Sequence, residues 1–177
     1  AEGSADTAVL SPMAVDPGYI PFIREQVAKV DLFIPFIDEE IDQLLRHDDE
    51  KIWEKCLLPE PVTTKVCLYK DEFQAFCTEN GLPVAPSVES DETGLPAVFK
   101  PRLGRGGKGV EVIRSIQGLR EKRTQKGVVQ QFIPGDEYTI DALFSKDHDL
   151  LRISARQRDM ASGVSTIGTI TDPEPFL

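Results

Sequence analysis

The 177-residue sequence has no apolar run near the ~18 residues that a membrane-crossing helix needs. Its first residues, AEGSADTAV, lack the basic and apolar regions of a signal peptide. No membrane is therefore expected as a partner. Cysteine is scarce, and Cys56, Cys67 and Cys77 are odd in number with neither C-x-x-C nor Cys/His spacing. That pattern indicates neither a disulfide framework nor a zinc site, and free thiols fit a reducing, cytoplasmic setting. Positive charge is short as well: 20 Lys+Arg face 30 Asp+Glu, a net charge of −10, which argues against nucleic acid as a partner. Internal repeats and low-complexity tracts are lacking. What is present is ordinary for a globular protein, 40% hydrophobic and 28% charged, and the length suffices for one good core or two small lobes.

The positive charge is clustered. Residues 100–126 hold nine Lys/Arg against two Glu, while residues 38–60 hold nine Asp/Glu against three Lys/Arg. A basic segment in an acidic chain suggests a local anion site, although Arg120, Lys122, Arg123 and Lys126 read more simply as a solvated helix face. Within the segment, VFKPRLGRGGKGVEVI (98–113) sets four glycines and four basic side chains between two apolar runs. Gly104, Gly106 and Gly109 satisfy G-x-G-x-x-G, a weak signal alone. A Walker A loop does not fit, because Gly109 follows Lys108 where Ser or Thr must hold magnesium. A dinucleotide fingerprint runs from a strand into a helix, but Val110, Val112 and Ile113 read as a second strand. Protein kinases use a glycine hairpin, yet Glu111 replaces their Val and no H-R-D or D-F-G follows. Two readings remain: a hairpin that folds over phosphates, or a mobile surface hairpin.

The rest of the chain supplies a frame. DPGYIPFIREQVAKV predicts a helix with Asp16 as N-cap, Pro17 at its first position and Ile20, Ile23, Val27 and Val30 on one face. DLFIPFI (31–37) predicts a short strand, followed by a helix capped by Asp38. Residues 70–80 predict a helix closed by Gly81. Strands are expected at 97–101, 110–114 and 127–133, with a helix starting at Ser115 between the last two. EYTIDALF alternates, SKDHD turns the chain, and LLRISARQR and GVSTIGTIT continue an antiparallel sheet over 137–170. Alternating strands and helices followed by an antiparallel meander give an α+β fold with two lobes.

In order and spacing these motifs resemble the ATP-grasp superfamily, most closely its carbamoyl-phosphate-synthetase-like and carboxylate–amine ligase members. DPGYIPFI…VDLFIPFIDEEIDQL resembles the end of the domain that precedes ATP-grasp, YKDEFQAFCTENGLPVAPS the helix with an early phosphate-binding lysine, PAVFKPRLGRGGKGV the lysine strand and glycine flap, and VVQQFIPGDEYTIDAL the hinge and ribose-contacting strand. The resemblance implies a partial pre-ATP-grasp α/β domain (1–64), a small ATP-grasp lobe with the flap (65–133) and the start of a large antiparallel lobe (134–177). It implies ATP as ligand, with Lys100 and Lys70 on the phosphates and Gly104, Arg105, Gly106, Gly107, Lys108 and Gly109 as the flap. Gln130, Gln131, Phe132 and Ile133 then form the adenine hinge, and Glu137 meets the ribose hydroxyls. Arg158, or alternatively Arg156, faces the transferring phosphate.

The chemistry implied is activation of a small-molecule carboxylate as an acyl-phosphate that an amine captures, and a homodimer is compatible with it. Two departures stand out. Tyr69 precedes Lys70 where relatives have Asp, and the single asparagine, Asn80, leaves no Glu-x-Asn metal motif. Magnesium (Mg2+) is accordingly expected to find its ligands outside this chain, which reads as part of a longer enzyme. A nucleotide-binding module without catalysis and a protein-interaction domain are the alternatives.

Overall fold

The computed structural model describes residues 5–91, 94–158 and 168–174. The chain divides into two compact units, Ala1–Arg105 with Gly109–Gln131, and Gly106–Lys108 with Phe132–Leu177. The first unit begins with α1 (Tyr19–Val27), α2 (Asp38–His47), the single turn α3 (Glu50–Trp53), α4 (Pro61–Leu68) and α5 (Lys70–Glu79). The apolar faces of the first three helices meet in one cluster, in which Tyr19, Ile20, Ile23 and Val27 of α1 pack with Leu44 of α2 and Ile52 of α3. Helical spacing thus puts one stripe of α1 inward, as the sequence implies.

The start of α1 differs from expectation. Gly18 occupies the cap position, while the Asp16 carboxylate accepts from the Met13 N–H at 3.1 Å and closes a turn upstream. Val30, beyond the helix end, is exposed. Asp38 is the first helical residue of α2 rather than its cap, with Glu39 and Glu40 completing an acidic first turn that favours the helix dipole. Residues 31–37 form no strand. A lone parallel bridge joins Phe33 to Cys56, with Pro35 interrupting the ladder that a strand would need.

α5 ends as its sequence indicates. Gly81 takes φ +65°, and the N–H of Leu82 reaches back to the carbonyl of Cys77 at 2.8 Å, the closure that a left-handed glycine permits. After it come β1 (Ala97–Pro101), β2 (Glu111–Ile113), α6 (Ile116–Arg123) and β3 (Gly127–Gln131). The three strands form an antiparallel sheet in the order β2-β1-β3. Ala97 and Phe99 point to one side, where they join Ile113, Val129 and Leu119 of α6 in a second cluster. By alternation, Val98 and Lys100 take the opposite side. Ser115 caps α6 by accepting from the Gly118 N–H at 3.2 Å.

In the second unit β4 (Tyr138–Phe144), β5 (Leu150–Arg158) and β6 (Gly168–Thr171) form an antiparallel sheet in sequence order. The β4–β5 turn closes through Ser145, whose N–H donates to the Asp149 carbonyl at 2.8 Å. The expected strand in GVSTIGTIT appears from Gly168 onward, its earlier residues lying outside the described ones.

Candidate functional site

The glycine hairpin grows out of β1 and returns as β2. Positive φ values at Gly104, Gly106, Gly107 and Gly109 give the connecting loop a path that side-chained residues resist. At Gly109 a Cβ would stand 2.8 Å from Pro101 Cγ, so the return passes too close to β1 for any larger residue. Another close approach holds the sheet edge, because a Cβ on Gly127 would lie 2.4 Å from the Lys100 carbonyl oxygen.

Lys70 opens α5 and reaches this loop. Its Nζ donates to the Gly104 carbonyl at 2.9 Å, and its backbone N–H donates to the Arg102 carbonyl at 3.1 Å. Lys100 sits on β1 opposite Val128 of β3. Arg105 lies 3.5 Å from Glu39 of α2. An ammonium poised over flexible backbone at a strand end can receive phosphate oxygens.

Three residues that sequence reasoning did not assign to the site organise this root. The Arg102 guanidinium lies 3.6 Å from the centre of the Tyr69 ring and pairs with Asp71 at 2.7 Å and Glu72 at 3.3 Å. The buried Tyr69 hydroxyl donates to Asp42 at 2.6 Å, whose other oxygen accepts from Arg46 at 2.6 Å. Burial first, and the Asp42 hydrogen bond second, push the Tyr69 hydroxyl above its usual range. A pocket of about 560 Å³ opens here, with Arg46, Tyr69, Arg102 and Lys126 in its lining. The only local signals were Arg102 at the loop entrance and an acidic first turn on α5; the Asp42 link crosses from another helix.

The expected hinge is partly engaged already. The Gln131 N–H donates to the Pro86 carbonyl at 2.8 Å, because residues 86–88 run along the outer edge of β3. The buried Gln130 side chain donates to the Gln74 amide oxygen and to the Ala85 carbonyl, so it braces β3 against α5. Phe132 is half-buried and Ile133 exposed. β3 ends at Gln131, short of the strand expected to Ile133.

In the second unit Arg158 pairs with Glu137, and the Arg158 N–H also donates to the Glu137 carbonyl at 2.8 Å. Arg156 pairs with Asp141 across β4–β5 at 2.9 Å. Both expected arginines therefore hold carboxylates, and one of those is the expected ribose acid. Among the described residues no group of three or more His, Cys, Asp or Glu side chains converges to hold a metal ion. The helix face at Arg120, Lys122 and Arg123 is engaged too: Arg120 and Arg123 share Asp91, and Lys122 pairs with Glu111.

Residues 71–174 match the family described as the ATP-grasp domain. No curated protein sequence matches the chain. Among solved structures, N5-carboxyaminoimidazole synthetase from Staphylococcus aureus, complexed with ADP, superposes with a TM-score of 0.65 at 15% identity, over 88% of this chain and 44% of that one. L-amino acid ligase from Bacillus licheniformis gives 0.61 at 19% identity over 93% of this chain and 43% of that one. N5-carboxyaminoimidazole ribonucleotide synthetase from Thermus thermophilus gives 0.60 at 16% identity over 86% and 43%. The chain spans less than half the length of these structures, and the likeness is one of fold.

Proposed function

Since this chain belongs to the ATP-grasp family, we propose that it is the nucleotide-binding part of an ATP-dependent carboxylate–amine ligase, carbamoyl-phosphate-synthetase-like in its chemistry. ATP lays its phosphates under the glycine hairpin, against Lys100, Lys70 and the backbone N–H groups of residues 104–109. Two positive charges there offset the triphosphate and the charge that develops as the γ-phosphoryl group moves. The adenine edge is met by backbone of the hinge. With Gln131 N–H already bonded, Phe132 and Ile133 supply the donor and the apolar cover, and Glu137 takes the ribose hydroxyls after exchanging its bond with Arg158.

In the reaction a carboxylate oxygen of the small-molecule substrate attacks the γ-phosphorus, the bond to the β–γ bridging oxygen breaks, and ADP leaves. An amine then attacks the acyl carbon and expels inorganic phosphate. Arg158, with Arg156 as the alternative, moves from its carboxylate to the transferred phosphoryl group. When bound, magnesium supplies charge neutralisation on the phosphates, and its ligands come from outside the described residues. Within this proposal residues 1–64 are the remainder of a preceding domain, 65–133 the small lobe and 134–177 the start of the large one. The expected setting is the cytoplasm. No helix among the described residues is long and apolar enough to cross a membrane.

One observation carries the reading. The Lys70 ammonium already rests on the hairpin at 2.9 Å from the Gly104 carbonyl, where a phosphate oxygen can take that carbonyl's place. Limited trypsinolysis tests it. The first cut is expected after Arg105 or Lys108, and millimolar ATP is expected to slow it. First cleavage elsewhere, at a rate indifferent to ATP, contradicts the proposal.

A further inference from the structure

Tyr69 stands where the resemblance leads one to expect an aspartate beside the phosphate-binding lysine, and the structure puts it to use. Its ring is buried, with 6% of its surface exposed. The Arg102 guanidinium covers one face at 3.6 Å, and the hydroxyl is tied to Asp42, itself 4% exposed. The Arg46 bond occupies the second Asp42 oxygen, so the carboxylate is held on both sides. Arg102 is in turn fixed by Asp71 and Glu72 of the first α5 turn, and Lys65 holds Glu72 from α4 at 2.9 Å.

What Arg102 then fixes is the root of the hairpin. Its carbonyl accepts from Lys70 N–H at 3.1 Å, and its own N–H donates to the Lys126 carbonyl at 3.1 Å. Two residues further on, Gly104 meets the Lys70 ammonium. The chain of contacts runs from α2 through Asp42, Tyr69 and Arg102 to both ends of the Lys70–Gly104 contact. The Tyr69–Asp42 link is short and buried, where a hydrogen bond to a charged partner resists loss most strongly. A planar guanidinium stacked on an aromatic face and forked to carboxylates has little rotational freedom left.

We propose that Tyr69 is a positioning residue: bonded to Asp42 and stacked on Arg102, it sets where Lys70 and the entrance of the glycine hairpin meet the nucleotide phosphates. The assignment rests on the nucleotide reading above, and it adds a second tier of residues that touch no ligand themselves. The aspartate normally adjacent to the lysine is replaced by a contact relayed from α2. Loss of the Tyr69 hydroxyl leaves the ring, the stack and the Arg46–Asp42 bond but cuts the link from α2 to the ring, so the root loosens without loss of the fold.

The test compares the wild-type 177-residue chain with Tyr69→Phe and Asp42→Asn by three readings: melting temperature, affinity for ATP against adenosine, and rate of tryptic cleavage after Arg105 and Lys108. For folded variants the expected result is ATP binding weakened about fivefold, the loss of one hydrogen bond's worth of ordering. Adenosine binding is expected to be unchanged and hairpin cleavage without nucleotide faster. A role in stability alone predicts equal loss for ATP and adenosine, or a lowered melting temperature with an unchanged affinity ratio, and either result overturns the proposal. Equal ATP affinity and equal cleavage in both variants also overturns it while leaving ATP binding intact. If the wild-type chain binds no ATP, the nucleotide reading falls. The assignment of Tyr69 is then decided by cleavage, since unchanged hairpin rates in Tyr69→Phe refute it and faster rates support it.

Discussion

Cys67 is exposed on α4, Cys77 is buried in α5, and Cys56 is half-buried at the bridge to Phe33. Burial pushes the Cys56 thiol up to about 11, so at pH 8 only about one molecule in a thousand carries its reactive thiolate. Iodoacetamide at that pH is expected to label Cys67 first, leaving Cys56 and Cys77 until the protein unfolds, as read by mass spectrometry; labelling of Cys56 at the rate of Cys67 would contradict the packing described. The glycines separate two kinds of constraint. Gly81 has φ +65°, and a methyl added there would meet open space, with nothing within 4 Å. Gly81→Ala should therefore cost only the left-handed penalty, about 1 kcal/mol. Gly127→Ala instead forces a methyl to 2.4 Å from the Lys100 carbonyl oxygen and 2.7 Å from the Phe99 ring. Because the first contact is backbone, the cost is expected to be larger, about 2–3 kcal/mol. Urea unfolding of the two variants gives the comparison, and equal losses would count against the close β1–β3 approach. Such positions divide what sequence can express. Gly81 announces itself by following a helix, whereas Gly127 looks like any strand-entry glycine until Lys100 is placed beside it.

α6 is held at its C-terminal half by Asp91, which accepts from Arg120 at 2.8 Å and Arg123 at 2.6 Å. The Arg120 hydrogen bond is the main cause that keeps the Asp91 carboxyl below the usual aspartate range. A depressed folded value means that this stabilisation is complete above the unfolded value of about 3.9 and is lost as pH falls through the lower folded one. Wild type and Asp91→Asn should therefore differ in urea midpoint at pH 7 and converge as pH drops well below about 3.9. A difference that persists undiminished in acid would contradict the clasp. At this scale much was legible. The strands of the hairpin, the helix start at Ser115 and the glycine stop of α5 all rest on local chemistry, and they appear within one residue of where the sequence puts them. Residues 31–37 misled because their apolar burst has strand composition but meets only Cys56, a partner that local pattern does not specify. α4 was missed although Pro61 stands at its first position, a signal that the surrounding prolines obscured. The Asp42–Tyr69–Arg102 relay could not be read at all. Its members lie on α2, before α5 and after β1, and only the packing of those elements joins them.

For the molecule as a whole, an acidic chain concentrates nine of its basic residues in 100–126, and the fold gives five of them to two tasks. Arg120, Lys122 and Arg123 are spent on carboxylates at the helix surface. Arg102 braces the hairpin root while Lys100 lies on the sheet side away from the Phe99 core. Net charge of −10 would repel a nucleotide at long range, so affinity for one has to come from this local concentration of charge. The most direct measurement is a calorimetric titration of the 177-residue chain with ATP, beside the same titration of Lys100→Met. The account predicts binding to the wild-type chain and a loss on the order of 1–3 kcal/mol in the variant, the scale of a charge-assisted hydrogen bond. An ATP affinity that Lys100→Met leaves unchanged, or no binding to either protein, would contradict it.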